Sequence, residues 1–412
     1  MFEKLSRIKV FRDPLYGYIE VEYKIILQLI DSKEVQRLRR IRQLSGVAMV
    51  FHTAEHSRFT HALGAYHIAN LVLHHVEGIE VLSEYERVVF LCASLLHDIG
   101  HGPYSHAFEN VLSTSHEAMT EKIILCPETD VYQILNQVPG LAEDVAGIIG
   151  HKGKFPLIES FVSSQLDVDR MDYLTRDAYF TGATYGTIDM HRLLRSMKVV
   201  DRKVLCRASG VHTLESYLMS RYHMYFQVYY HPVARAYELL LESIYERIKD
   251  LTKNGIQIDA NLDSFLNVVQ NNDDVASYIE LDDAYVNGFI KQLAKSEDFV
   301  LRRLALAFNH RKLFKYIDLA NEPDPKLIEE IKVKMKSNPN GKYFYFENSV
   351  SAVAYLQKDK QNTDDLIAIK VILPNGEIKN LDDYSPIVHS LVSSSYKRVE
   401  RIYYFEDLLC QA

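Results

Sequence analysis

Cysteine is scarce in this 412-residue sequence, and the four that occur, Cys92, Cys126, Cys206 and Cys410, are scattered without a CxxC pair. That spacing excludes a zinc ribbon and a disulfide framework, and reads as reduced intracellular thiols. Long apolar runs are missing too. No stretch approaches the ~20 apolar residues needed to span a bilayer, and the opening "MFEKLSRIKVFRDPLYG" lacks a signal-peptide core. A cytoplasmic location with no membrane partner is expected. Positive charge is not in excess: 47 Lys and Arg against 55 Asp and Glu leave a net charge of −8. A broad electrostatic grip on nucleic acid is therefore not expected as the main interaction, and any phosphate site must be local. Internal repeats and low-complexity segments are absent.

What the sequence does hold is helical periodicity and a core-sized apolar content, 47% hydrophobic with 25% charged. In "RFTHALGAYHIANLVLHHV" the residues Phe59, Leu63, Tyr66, Ala69 and Leu73 step by three or four, predicting an amphipathic helix with one apolar stripe. Similar stripes run through "EYERVVFLCASLL", "TLESYLMSRYHMYFQVYY" and "HPVARAYELLLESIYERI", where Pro232 suits a first helical turn. Residues 1–314 thus read as an all-α body. Composition changes near Lys315, where "NEPDPKLIEE" carries turn signals and "DLIAIKVILPNGEIKNL" predicts a hairpin about Asn375-Gly376. Residues 315–412 read as a small α+β unit, with the polar stretch "KDKQNTDD" as a mobile loop. The fold class expected is mainly α.

Directly after the apolar run "RVVFLCAS" comes "LLHDIGHGPYSHAFE", which collects His97, Asp98, His101 and His106 at the end of a helix leaving the core. Burying unpaired polar groups costs about 1–3 kcal/mol each, a cost that a divalent cation would remove. His97 and Asp98 are adjacent and cannot share a helix face. At a last turn broken by Gly100 and Gly102-Pro103, both can lean toward one point beyond the terminus. Mixed nitrogen and oxygen ligation suits Mn, Fe, Zn or Ni better than calcium. His61 in "RFTHALG" and Asp169 in "QLDVDRMDYLTRD" are the best further ligands. The alternative is a solvated helix terminus at His97-Asp98 and a satisfied core histidine at His61.

The ordered string "KVFRDPLYGYIEV", "RLRRIRQLSG", "HSRFTHALG", "LLHDIGHGPYSHAFE", "QLDVDRMDYLTRDA" and "YYHPVA" resembles the HD-domain deoxynucleoside triphosphate triphosphohydrolases. That family has bacterial members and a vertebrate member joining a sterile alpha motif to an HD domain. The resemblance implies an HD-domain helical core and hydrolysis of dNTPs to deoxynucleoside and tripolyphosphate. It also implies His61, His97, Asp98 and Asp169 as ligands of a divalent metal, with Mg, Mn, Fe, Zn and Ni all open. By the same likeness Arg58 and Arg170 hold phosphate, and His101, His106, Glu109 and His116 are catalytic. Gln43 and Leu44 would close on the sugar, Tyr173 and Asp177 face the deoxyribose, and Arg221, Tyr225 and Tyr229 contact phosphate and base. Glu109 and Tyr225 depart from the vertebrate aspartate and histidine.

The chemistry implied is attack of water on the α-phosphorus beside the cation, with arginines neutralising phosphoryl oxygens and His106 protonating the departing 5′-oxygen. The resemblance further implies a homotetramer activated by a guanine nucleotide or dNTP between subunits, at Lys9, Val10, Asp31, Gln36 and Arg39, with Lys198 and Arg311 near the partner side. Against this, "QRLRRIRQ" also reads as the basic solvated face of a helix. Two other functions stay open. A nucleotidase or phosphodiesterase on other nucleotides would keep the ligands without needing Arg58, Arg170 and Arg221 together. A nonenzymatic nucleotide or single-stranded nucleic-acid binder would use some of the 27 tyrosines for stacking, but the net charge and the complete ligand set oppose it.

Overall fold

Strand β1 (Lys4–Asp13) turns at residues 14–16 into β2 (Gly17–Tyr23), pairing Val10 with Glu20 and Asp13 with Gly17. The body is therefore not all-α, as the sequence suggested. β2 alternates Ile19, Val21 and Tyr23 with Glu20 and Glu22, a strand signal that the helical reading of the body passed over, while most of β1 is exposed. The computed structural model describes residues 2–112, 114–321, 323–351, 368–393 and 398–408, without the side chains of His106, Val111, Val350, Ser351 and Arg398. The stretch "KDKQNTDD" lies outside the described residues.

The helices follow in order. They are α1 (Lys24–Asp31), α2 (Lys33–Arg37), α3 (Arg58–His75), α4 (Glu84–Leu96), α5 (His106–Leu112), α6 (His116–Leu125) and α7 (Asp130–Leu135). Next come α8 (Leu141–Ile149), α9 (Pro156–Val162), α10 (Val168–Thr181), α11 (Met190–Ser196), α12 (Val211–Met224) and α13 (Pro232–Lys253). The layer is closed by α14 (Asp263–Gln270), α15 (Val275–Ile279), α16 (Asp283–Leu293) and α17 (Phe299–Asn309). α3 is the central rod, packed by α4 and α10. Its expected single stripe is corrected: Ala62, Ala65, Ile68 and Val72 are buried along with Phe59, Leu63 and Tyr66, so α3 is enclosed on nearly every side. Small residues there let its neighbours approach.

α4 starts on a capping box, Ser83 with Glu86, and its run Val88–Leu96 is wholly buried. α10 starts on Asp167, which accepts from the Arg170 amide at 2.7 Å. α12 passes into one π turn, Tyr225–Tyr229, which re-aims its tyrosines.

Strands β3 (Met197–Val200) and β4 (Lys203–Arg207) form a hairpin within the body. β5 (Lys315–Asp318) begins at the compositional break and joins β6 (Tyr345–Ser351) and β9 (Arg398–Tyr404) in the order β5-β9-β6. The Asn-Gly hairpin is present as β7 (Lys370–Ile372) and β8 (Ile378–Asn380), with Gly376 at φ +87°. It extends β3-β4 to β3-β4-β7-β8, so body and tail share a sheet. Among the described residues no helix is long and apolar enough to cross a membrane.

Candidate metal centre and active site

Three crossing helices bring the proposed ligands together. α3 supplies His61, the end of α4 supplies His97 and Asp98, and the first turn of α10 supplies Asp169. His61 Nε2 lies 3.1 Å from His97 Nε2 and 3.1 Å from Asp169 Oδ1, and His97 Nε2 lies 3.4 Å from that oxygen. Asp98 lies alongside, Oδ1 3.5 Å from His97 Nε2 and Oδ2 3.7 Å from His61 Nε2, and its carboxylate also groups with His101 and His116. Donors bound at about 2.1 Å to one small divalent ion stand roughly 3 to 3.5 Å apart, so the residues fit such an ion. Each imidazole has its other nitrogen engaged, His61 Nδ1 with Asp172 Oδ2 at 2.8 Å and His97 Nδ1 with the Ser94 carbonyl at 2.9 Å. Both therefore present Nε2.

The charges argue the same way. Burial lowers the His61 pKa, but its hydrogen bonds with Asp169 and Asp172 outweigh that and push it up to about 10 in the ion-free chain. Burial likewise resists ionisation of Asp169, and contacts with His61 and His97 hold it below the usual carboxylate range. The carboxylates thus concentrate negative charge at the point where a cation would sit.

Beside this group, His101 Nε2 lies 3.4 Å from Asp98 Oδ1, and Glu109 Oε1 lies 3.2 Å from His101 Nδ1 and 2.9 Å from His116 Nδ1. The His101 and His116 rings stack at 3.8 Å. Burial, then Arg58 and His116, push His101 down to about 4. Burial opposes protonation of His116 as well, but its hydrogen bond to Glu109 wins and raises it. The two stacked imidazoles are thus shifted in opposite directions. His106 opens α5, and its side chain lies outside the described residues.

Arg58 joins the loop to the ligands: Nη1 donates to Asp98 Oδ2, and Nε and Nη2 reach Ser105 Oγ at 3.0 and 2.7 Å. Ser105 and Tyr104 have φ of 51° and 56°, a left-handed pair that non-glycine residues adopt only under constraint. Asp283 provides the other constraint, accepting from the Tyr104 amide at 2.9 Å. At Gly100 a Cβ would meet the His116 carbonyl at 2.2 Å, so α6 can lie this close to the ligand loop only against glycine.

A cavity of about 560 Å³ opens over the ligands, lined by Gln43, Leu44, Arg58, Asp98, His101, His116, Asp169, Tyr173, Asp177, Tyr225 and Tyr229. Arg235, Glu238, Asn348 and Ser349 also line it and were not anticipated. Arg170 and Arg221 stand behind the wall: Arg170 is turned onto Asp167 and the Ser164 carbonyl, and Arg221 donates to Gln165 Oε1 at 2.7 Å. Asp177 accepts from Tyr229 Oη at 2.8 Å and pairs with His56 Nε2 at 2.8 Å. Sequence reasoning missed His56, Asp172 and Arg176. For the last two a signal existed, since Asp169, Asp172 and Arg176 fall at i, i+3 and i+7 on one face of α10.

The proposed activator positions fall into two groups. Lys9 and Val10 sit on exposed β1. Gln36 receives Arg39 Nε at 2.8 Å and itself donates to the Ile30 carbonyl at 2.7 Å, with the Arg39 guanidinium 3.6 Å from the Phe59 ring centre. Asp31 ends α1 and is exposed. Among the described residues no hydrogen bond or ion pair joins Lys9 or Val10 to the other three. The basic stretch is not simply a solvated face, because Arg37 is buried with its donors on the Leu281 and Ile99 carbonyls at 2.8 and 3.2 Å. Lys198 pairs with Glu77 and Arg311 with the Met49 carbonyl, each at 2.8 Å.

The sequence matches the HD domain over residues 58–177 and the HD associated region over residues 188–406. An uncharacterized protein of Bacillus subtilis, YwfO, is 39% identical over 99% of this chain and 94% of its own length. The deoxynucleoside triphosphate triphosphohydrolase SAMHD1 of Homo sapiens is 27% identical over 76% of this chain and 55% of its own. A phosphohydrolase crystal structure from Bacteroides thetaiotaomicron superposes with a TM-score of 0.84 at 27% identity, covering 97% of this chain and 100% of that one. His61, His97, Asp98 and Asp169 all fall inside the HD match.

Proposed function

The chain belongs to the HD-domain phosphohydrolases with an HD-associated region, and from that premise we propose that it hydrolyses dNTPs to deoxynucleoside and tripolyphosphate. The observation that carries this reading is that Asp98 and Asp169 of the donor set line one cavity of about 560 Å³ together with Tyr173 and Asp177, a volume in the range of small-molecule sites.

His61, His97, Asp98 and Asp169 would hold a divalent cation, which would supply Lewis acidity at a phosphoryl oxygen and lower the pKa of water toward neutrality. Arg58, already on the cavity wall, faces the phosphates. Arg170 and Arg221 join it by exchanging Asp167 with Ser164, and Gln165, for phosphate oxygens. His106 gives the proton to the departing 5′-oxygen. His101, whose pKa is pushed down by burial, and His116, hydrogen-bonded to Glu109, orient the reacting groups. Tyr173 leaves no room for a 2′-hydroxyl, and Asp177, fixed by His56 and Tyr229, accepts the 3′-hydroxyl. Gln43 and Leu44 close over the sugar, and Tyr225 and Tyr229 flank the base. The same reading takes in a cytoplasmic homotetramer, an activating guanine nucleotide or dNTP at Lys9, Val10, Asp31, Gln36 and Arg39, and a division of the chain after residue 314.

Purified protein incubated with each dNTP and Mn²⁺ or Mg²⁺, with and without dGTP or GTP, tests the reading by phosphorus NMR. Tripolyphosphate is expected; pyrophosphate or orthophosphate as the first product would refute the substrate orientation. The engagement of Arg170 and Arg221 away from the cavity favours one second reading, a nucleotidase or phosphodiesterase on other nucleotides. Nucleoside monophosphates and cyclic nucleotides in the same assay decide between them.

A further inference from the structure

We propose that the β1–β2 hairpin positions the metal ligand His61, with Asp13, Tyr16 and Arg176 acting as positioning residues through Asp172. The contacts form one buried chain. Tyr16 Oη in the hairpin turn donates to Asp172 Oδ1 at 2.8 Å. Arg176 grips both oxygens of Asp172, Nε to Oδ2 at 2.8 Å and Nη2 to Oδ1 at 2.9 Å, and its Nη1 reaches Asp13 Oδ2 at 2.9 Å. Asp172 Oδ2 then holds His61 Nδ1 at 2.8 Å. Asp172 and Arg176 are fully enclosed, and Asp13 is pinned by accepting from the Leu15 and Tyr16 amides at 2.9 and 3.2 Å.

Three features make this more than a stray salt bridge. Asp172 shares its oxygens between α10 and the hairpin, so neither element alone sets the plane of the carboxylate on which the His61 ring is hung. Gly64, one turn beyond His61 on α3, gives the carboxylate its place, since a Cβ there would stand 1.9 Å from Asp172 Oδ1 and 2.5 Å from Arg176 Nη2. The Tyr16 ring is itself held, 4.7 Å from the His67 ring and 5.6 Å from the Arg176 guanidinium. None of Asp13, Tyr16 and Arg176 lines the cavity or supplies a metal donor. Their effect on the centre runs through the angle of His61.

The proposal rests on the fit of the donor set to a divalent ion and not on the dNTP reading, so the test contains no nucleotide. The full chain is stripped with a chelator and titrated with Mn²⁺ by calorimetry, as wild type, Tyr16→Phe and Asp13→Asn. Tyr16→Phe keeps the ring and removes only the donor to Asp172. Weakening of Mn²⁺ affinity by about 10-fold in each variant is expected, the effect of losing a group that orients a metal-binding histidine. The melting temperature of the ion-free Tyr16→Phe chain should stay within a few degrees of wild type. A purely structural hairpin would lower that melting temperature and leave Mn²⁺ affinity within twofold, and this result would overturn the proposal. No Mn²⁺ binding by the unsubstituted chain would sink both the centre and the relay.

Discussion

Every metal donor in this site is defined by what stands behind it. His97 presents Nε2 because Ser94 takes Nδ1, and Asp169 is ionised because two imidazoles face it. Replacing His97 and Asp98 together by alanine removes two of four donors, so turnover should vanish and elemental analysis should find the metal lost. Stoichiometric metal in that variant would end the metal-centre reading. His101 makes a separate prediction. Its folded pKa of about 4 lies below the ordinary 6.5, so the neutral ring is favoured by folding. That contribution is complete above pH 6.5 and is lost as pH falls from 6.5 through 4, roughly 2 kcal/mol between pH 7 and 5. Urea midpoints of the ion-free wild type should therefore fall further over that interval than those of His101→Gln, and equal falls would contradict the assignment. The donors themselves were legible in the sequence, because histidines and carboxylates crowd a helix end where burial would otherwise be costly. Their orienting groups were not. Asp172 and Arg176 leave only their i+3 and i+7 spacing from Asp169 on α10, and His56, which orients Asp177, looks like an ordinary polar residue until packing buries it.

Elements carry these residues to one point, and α4 shows how. Its capping box fixes one end, Ser83 amide to Glu86 Oε2 at 2.9 Å and Glu86 amide to Ser83 Oγ at 3.3 Å, and its other end delivers His97 and Asp98. Ser83→Ala should lower stability by about 1 kcal/mol in urea unfolding while leaving metal stoichiometry unchanged, because the ligand end is held separately by Arg58 and by α6 against Gly100. A loss of metal in that variant would show that the two ends are not independent. The helices were readable because their apolar spacing is strong, and the Asn-Gly hairpin because its turn chemistry is local. Two elements resisted. β1 is exposed along most of its length, so its short alternation of Ile8 and Val10 marks no buried face, and α3 is enclosed by α4 and α10, so its apparent stripe understated its burial. The pairing of β7 with β4 joins residues more than 160 positions apart, and no local pattern specifies that.

For the whole molecule, a net charge of −8 leaves any phosphate recognition to local clusters, and the proposed activator residues lie away from the 560 Å³ cavity. Gln36 and Arg39 are tied together beside the start of α3, with exposed Asp31 nearby in sequence, while Lys9 and Val10 present their exposed strand on another element. Among the described residues these two groups share no hydrogen bond, so a pocket using both must be completed by assembly or by the ligand itself. An activator that binds the assembled form more tightly must also promote assembly, because the two equilibria are thermodynamically linked. Light scattering beside an activity titration should accordingly show a tetramer whose formation and turnover rise together with added guanine nucleotide. Reversing the charges in Asp31→Arg with Arg39→Glu should abolish that response while Mn²⁺ binding at the metal centre stays as in wild type, since neither residue is among the candidate donors. Full activity in a monomer, or a normal response in the doubly reversed variant, would reduce these residues to exposed surface and leave catalysis to the single chain.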